Sequence, residues 1–207
     1  MHPFSSQMKQ HWNQRFGEKL HAYGTAPNQF FAEKLSQLEP EGYVLMPAEG
    51  QGRNAVFAAR LGWQVDAFDL SEVGKDRALE LAKAEGVELN YWLQDLAVLD
   101  LPKEKYDVIG LVFMHMPPEM RSEVHQKLVS SLKPGGVIIL QGFSKKQLGL
   151  SSGGPKNLAM LFSEEELRKD FEGLDLEIIE GQASLDEGPY HQGKAELIGL
   201  VARKKKD

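Results

Sequence analysis

The chain has 207 residues, a length that suits one α/β domain over residues 1–207 rather than two. It is 42% hydrophobic, enough for a core, yet no run approaches the roughly 20 apolar residues that cross a bilayer. With no cysteine it can hold no disulfide, thiolate metal site or cysteine nucleophile. The net charge of −6 weighs against a nucleic-acid substrate, which needs a basic face, and the one basic run, 203–206, reads as a solvated end. Residues 1–10 lack the apolar stretch of a secretory signal, and the histidines show no metal-binding spacing, so a cytoplasmic protein without a metal is expected.

Residues 1–40 predict a polar, helical N-terminal segment carrying Trp12, Phe16, Tyr23, Phe30 and Phe31, broken in two at Gly24-Thr25-Ala26-Pro27-Asn28. Pro27 suits the start of the second helix, whose apolar face holds Phe30, Phe31 and Leu35. At Tyr43-Val44-Leu45-Met46 the pattern changes to a short apolar run of the kind buried on both faces of a parallel sheet. From there 54–61 predicts a helix, 64–68 a strand, 73–84 a helix ended by Gly86, and 89–93 and 106–112 two strands. A helix over 118–132 and the turn Lys133-Pro134-Gly135-Gly136 lead into the apolar strand 137–140. Such alternation with short Gly/Pro connections implies a doubly wound parallel sheet. Ser163, with Glu166 three residues on, then marks a helix start. Two strand-like runs, 174–179 and 195–201, flank a polar, turn-rich gap and are expected to pair antiparallel at one sheet edge.

The first strand runs into Ala48-Glu49-Gly50-Gln51-Gly52-Arg53-Asn54, which opens a helix. Glycines there let the backbone approach a ligand, and the helix N-terminus offers unpaired N–H groups; a plain connecting turn is the alternative. The second strand ends at Asp69, followed by Leu70 and Ser71. A carboxylate at that place can accept both hydroxyls of a ribose, whereas Ser71 is suited to cap the next helix. After the third strand come Gln94, Asp95 and Leu96, where Asp95 either accepts from the amine of adenine or occupies a surface turn. The glycine loop, Asp69 and Asp95 fall at consecutive strand ends on one sheet edge, and together they predict a nucleoside site.

The run Glu49-Gly50-Gln51-Gly52-Arg53-Asn54-Ala55-Val56-Phe57-Ala58, then Asp69-Leu70-Ser71, Asp95-Leu96, Tyr106-Asp107-Val108-Ile109 and Leu132-Lys133-Pro134-Gly135-Gly136, resembles the class I methyltransferases. More narrowly, with Trp12-Asn13-Gln14-Arg15-Phe16, Tyr23-Gly24 and Gln141-Gly142-Phe143-Ser144, it is similar to the tellurite-resistance methyltransferase (TehB-like) branch. The resemblance implies a Rossmann-like, seven-stranded, mostly parallel sheet with helices on both faces, the last strand antiparallel, and an N-terminal helical lid over residues 1–40. It implies S-adenosyl-L-methionine as cofactor. The positions implied to hold it are Trp12, Arg15, Ala48, Glu49, Gly50, Gly52, Asn54, Asp69, Leu70, Ser71, Gln94, Asp95, Leu96 and Leu111. Two positions depart from the pattern. Met46 stands where an acid usually meets the methionine part of the cofactor, and Ala48 where the first glycine stands; Glu49 is expected to take over part of the missing contact.

Methyl transfer from a sulfonium is an in-line displacement for which the protein supplies alignment and a dry pocket. A general base is needed only where the acceptor starts protonated. His115, in the run Phe113-Met114-His115-Met116-Pro117-Pro118, is the candidate catalytic residue: it either serves an acceptor or caps a loop. Tyr23, Phe143 and Lys145 are candidate acceptor contacts, the last in a connection, 143–160, long enough to suggest a function. An anionic acceptor would need fixed positive charge, for which Arg15, Arg53, Lys145 and Lys146 are available. His191, between the last two strands, reads more as a hairpin tip than as a pocket residue. The implied acceptor is a small molecule, a tellurium or selenium oxyanion or a thiol metabolite, and a monomer or homodimer without membrane or nucleic-acid partners is expected. The alternatives are a methyltransferase of protein or nucleic acid, a non-catalytic cofactor-binding protein, and a nicotinamide-dependent oxidoreductase. The last fits Gly50-x-Gly52-x-x-Ala55 but explains neither Asp95 nor the final strand pair.

Overall fold

The computed structural model describes residues 3–206. In β1 (Tyr43–Pro47) the side chains alternate between two apolar layers, as a strand's period of two requires. Leu45 faces one layer with Ile109, Leu111, Ile138 and Leu140, covered by Val124, Leu128, Leu167 and Phe171. Val44 and Met46 face the other, with Val108, Val137 and Ile139, covered by Phe31, Leu35, Ala55, Ala58 and Ala78. The first cover comes from α5 (Pro118–Ser131) and α6 (Glu164–Asp170), the second from α2 (Gln29–Leu35), α3 (Arg53–Arg60) and α4 (Glu72–Ala84). Helices on both faces let a sheet of apolar strands bury both sides.

The remaining strands are β2 (Gln64–Asp69), β3 (Asn90–Leu93), β4 (Tyr106–Val112), β5 (Leu132–Phe143), β6 (Asp175–Asp186) and β7 (Gln192–Arg203). They stand in the order β3-β2-β1-β4-β5-β7-β6. Pairings among β1 to β5 are parallel, and β7 runs antiparallel to both β5 and β6. This is the expected seven-stranded, mostly parallel Rossmann-like sheet. The order reverses between β1 and β4, so a crevice opens at the C-terminal ends of those strands. Among the described residues no helix is long and apolar enough to cross a membrane.

Helix starts follow the sequence closely. Ser71 Oγ accepts from Gly74 N–H at 2.9 Å to cap α4, and Ser163 with Glu166 forms a reciprocal capping box on α6. α2 begins at Gln29 with Asn28 as its cap, accepting from Phe31 N–H at 3.0 Å, so Pro27 stands just before the helix rather than at its first position. Two expectations fail. The turn 133–136 is absorbed into β5 as an irregularity, with Leu132 beside Tyr106 and Val137 beside Val108. The polar gap before β7 is not a loop: β6 and β7 pair from Asp175↔Arg203 out to Asp186↔Gln192. Backbone groups are satisfied by that pairing whatever the side chains, so Gln182, Ser184 and Asp186 extend a ribbon with its tip at 187–191. The basic end is also stitched down in part, Gly135 N–H donating to Lys204 O at 2.9 Å and Lys204 Nζ to Leu132 O at 2.8 Å.

Candidate functional site

The glycine loop leaves β1 through three left-handed residues, Ala48 (φ 49°), Gly50 (φ 63°) and Gly52 (φ 86°). Gly52 has a second reason to be glycine: a Cβ there would come within 2.6 Å of Ala78 Cβ on α4. The loop is fixed by its neighbours. Asp69, at the end of β2, accepts Gly50 N–H on Oδ2 at 2.9 Å and Ser71 N–H on Oδ1 at 2.8 Å. Tyr91 of β3 donates to Gly50 O at 2.8 Å. Glu49 turns its carboxylate onto the start of α3, where Oε1 accepts Asn54 N–H and Ala55 N–H, each at 2.8 Å, and the helix dipole favours the negative charge. Burial nevertheless pushes the Glu49 carboxyl up to about 7, against those hydrogen bonds and Arg53. Burial likewise pushes Asp69 up to about 6. Met46 is buried in the α2–α3–α4 layer and packs beside Gly110 and Phe31, so this position offers the crevice nothing.

The crevice holds a cavity of about 610 Å³, a size typical of small-molecule sites. Ala48, Glu49, Gly50 and Asn54 line it from the glycine loop, Asp69 and Leu70 from β2, and Gln94, Asp95 and Leu96 from the exit of β3. Asp95 is half-buried and also accepts Ala97 N–H at 2.9 Å, so the surface-turn role and the cavity position coexist. On the other side Phe113, Met114, His115 and Met116 leave β4, and Phe143 ends β5. Four methionines, Met114, Met116, Met120 and Met160, give this half an apolar, polarisable wall.

The helix α1 (Pro3–Glu18) roofs the cavity with Trp12, Arg15 and Phe16. Asn13 Oδ1 accepts from Ser71 Oγ at 2.6 Å, and Phe16 presses on Gly50 and Gly74, where a Cβ would lie within 2.8 and 3.0 Å of its ring. Gln51 pins the turn after α1 from below, its amide donating to Lys19 O and Leu20 O and accepting Ala22 N–H at 2.7 Å. Trp12 stacks on Phe16, while Arg15 donates to Tyr23 Oη at 3.1 Å and lies 4.4 Å from the centre of the Tyr190 ring. Among the described residues Arg15 forms no ion pair, which leaves its charge available to a ligand.

Four expected site residues lie outside the cavity wall. Gly52 is turned toward α4, and Ser71 is spent on capping α4 and on Asn13. Leu111 alternates into the α5–α6 layer, so Val112 faces the cavity in its place. Lys145 pairs with Glu166 at 3.0 Å and Lys146 with Glu180 at 3.1 Å, because α6 and β6 bring carboxylates to them. Arg53 does line the cavity but is bound to Glu187 at 2.6 Å.

Of the two roles expected for His115, the structure supports the tie between loops. Its Nδ1–H donates to Met160 O at 2.8 Å, and its Nε2 accepts Phe143 N–H at 3.0 Å. Both ring nitrogens of the neutral imidazole are thus occupied, and burial lowers the group to about 4. His115 ties the exit of β4 to the 143–160 segment and has no lone pair for an acceptor proton.

Glu187 carries no expected site role, and His191, expected first as a hairpin tip, is both at the tip and in the cavity wall. Glu187 accepts from Asn28 Nδ2 at 2.9 Å and from Arg53, so the hairpin tip locks to the starts of α2 and α3. His191 lines the cavity with 6% of its surface exposed. The only sequence signal for either is the Gly/Pro-flanked position of the tip; the length of the ribbon decides where that tip lands.

Residues 44–136 match the family model described as a methyltransferase domain. The tRNA 5-carboxymethoxyuridine methyltransferase of Escherichia coli K12 is 32% identical over 114 residues, covering 53% of this chain. The chain spans 44% of the length of that relative. Among solved structures, TehB from Haemophilus influenzae superposes with a TM-score of 0.74 at 21% identity, over 94% of this chain and 67% of that one. Magnesium protoporphyrin IX methyltransferase from Synechocystis PCC 6803, with bound SAH, superposes with a TM-score of 0.72 at 19% identity, over 97% and 99% of the two chains. Residues 44–136 are similar to a methyltransferase domain, and the chain shares the fold of these solved methyltransferases.

Proposed function

We propose that the chain transfers the methyl group of S-adenosylmethionine to a small-molecule acceptor held between α1, the exit of β4 and the β6–β7 tip. The observation that carries this reading is the convergence of Asp69, Asp95 and the glycine loop on one cavity roofed by Trp12. Asp69 accepts two hydrogen bonds from the backbone, and a carboxylate has capacity for about four, so both ribose hydroxyls find acceptors there. Asp95 takes the adenine amine, and Gln94, Leu70 and Leu96 border the base. Glu49 serves the ammonium of the methionine end in place of Met46, its carboxyl already oriented by the N–H groups of Asn54 and Ala55 at the start of α3. The cofactor supplies an activated methyl carbon; the protein aligns the acceptor and excludes water.

A small acceptor fits a cavity closed on three sides by α1, the 151–156 segment and the hairpin tip. Arg15 is its fixed cation, and the methionine wall suits a polarisable atom such as sulfur, which favours a thiol metabolite over a fully hydrated oxyanion. The fold likeness to TehB supports placing the chain near the tellurite-resistance branch. The identity to a tRNA-modifying relative favours a second reading, an RNA acceptor. Tritiated methyl transfer to a metabolite panel and to tRNA separates the two. Labelled small molecules support the proposal, and label in tRNA alone overturns the small-acceptor part.

A further inference from the structure

We infer that His191, oriented by Glu187, accepts the proton of the methyl acceptor, and that the acceptor is therefore a thiol or phenol that enters the site protonated. The inference rests on the proposed methyl-transfer reading. The glycine loop, Asp69 and Asp95 occupy the β1–β2–β3 half of the crevice, so the acceptor belongs in the β4–β5–β7 half, where His191 stands. Its ring is fixed from three elements: Tyr23 at 4.5 Å, Phe113 at 4.4 Å and Phe143 at 5.2 Å between centroids. Phe113 keeps its place at a left-handed φ of 52°, a strain that a phenylalanine rarely bears away from functional sites.

Of the three histidines in the cavity wall, His11 is exposed and His115 has both nitrogens engaged. His191 differs from both. Its Nδ1 is enclosed without a hydrogen-bond partner, 3.9 Å from Glu187 Oε2, and we assign the ring proton to this nitrogen because the carboxylate favours a donor on that side. Nε2 is then left with its lone pair. Gly153 lets this edge of the ring pack close to the 151–156 segment: a Cβ there would lie 2.6 Å from Cδ2 and 3.0 Å from Nε2. The charged groups that face the ring are Glu187 from the tip, Arg53 from α3 and Arg15 from α1. Burial dominates among them and lowers the imidazole below its ordinary range, so the ring is neutral at pH 7 and free to accept.

The acceptor X–H gives its proton to Nε2 as its lone pair forms the X–CH3 bond. The carbon–sulfur bond breaks, the sulfur keeps that electron pair as a neutral thioether, and the imidazolium later returns the proton to water. Glu187 is a positioning residue that favours the imidazolium as it forms.

The test uses the full chain, S-adenosylmethionine, and a series of para-substituted thiophenols and phenols of graded acidity as probes. Removing a general base costs about a hundredfold or more. His191→Asn should lower kcat/KM by about that factor at pH 7, and the loss should shrink as pH rises past the ionisation of each probe. Its S-adenosylhomocysteine affinity should remain within about twofold. In 15N NMR of the imidazole, Glu187→Gln should lower the His191 titration midpoint. A pH-independent loss in His191→Asn, full activity in it, or no transfer to any probe by a wild type that binds the cofactor would each overturn the inference. An unmoved midpoint in Glu187→Gln would remove Glu187. Failure of the wild type to bind S-adenosylmethionine would instead overturn the underlying methyl-transfer reading.

Discussion

The Asp69 carboxylate accepts the backbone N–H of Gly50 at 2.9 Å, so the acid at the end of β2 and the glycine loop after β1 form one unit. Its other oxygen takes Ser71 N–H, which leaves no orientation for an amide in its place. Asp69→Asn sets an NH2 against one of two N–H donors. Leaving such a buried group unsatisfied costs about 1–3 kcal/mol. Calorimetry should show S-adenosylhomocysteine binding weakened by about tenfold or more, with a matching drop in the denaturation midpoint. Equal affinity in the variant would separate Asp69 from the ligand.

Glu49 gives a dependence on pH. Its folded carboxyl sits at about 7 against an ordinary 4.5, so between those values the folded state binds more protons than the unfolded one. Stability of the free protein therefore falls as pH rises through that window. Asp69, raised from 3.8 to about 6, adds a similar decline that is complete sooner. Glu49→Gln should flatten the thermal-stability curve above about pH 6 while weakening cofactor binding, through loss of a charged hydrogen bond of about 1.5–3 kcal/mol. An unchanged slope would mean that Glu49 is ionised in the folded state at lower pH.

Gly52 and Gly86 separate backbone strain from collision. Both have positive φ, but a Cβ at Gly86 meets nothing within 4 Å, whereas at Gly52 it meets Ala78 at 2.6 Å. Gly86→Ala should cost about 1–2 kcal/mol from the left-handed conformation alone. Gly52→Ala should cost about 1–3 kcal/mol more from overpacking. Equal losses in urea denaturation would contradict the close approach of α3 and α4.

Away from the cavity, Asp170 accepts from Arg121 Nε at 2.8 Å and from His125 Nδ1 at 2.9 Å, all three side chains being buried. Removing the acid leaves the Arg121 guanidinium only Glu166, 3.5 Å away, and breaking a buried pair costs about 3–5 kcal/mol. Asp170→Ala should show that loss in equilibrium unfolding; one below about 1 kcal/mol would mean that Glu166 or water satisfies Arg121 in its place.

The sheet was legible because its signals are local. β4 spans the expected residues 106–112, and the glycine loop, Asp69 and Asp95 announce strand ends through conformation and charge. What escaped depends on partners distant in the chain. Lys145 looked available until Glu166 reached it from α6, and the alternation of β4 turns Leu111 into the core. His115 was chosen by type and place, yet the Met160 carbonyl and the Phe143 N–H that engage it lie 45 and 28 residues away. His191 was placed correctly at a hairpin end. Its position over the cavity follows from how far the β6–β7 ribbon extends, which polar residues do not reveal.

The central claim, that this crevice is a site for S-adenosylmethionine, is tested most directly by calorimetric titration of the wild type and Asp69→Asn with S-adenosylhomocysteine and with NADH. One-to-one binding of S-adenosylhomocysteine, weakened in the variant, and no heat from NADH are expected. Binding of NADH with none of S-adenosylhomocysteine would contradict that claim.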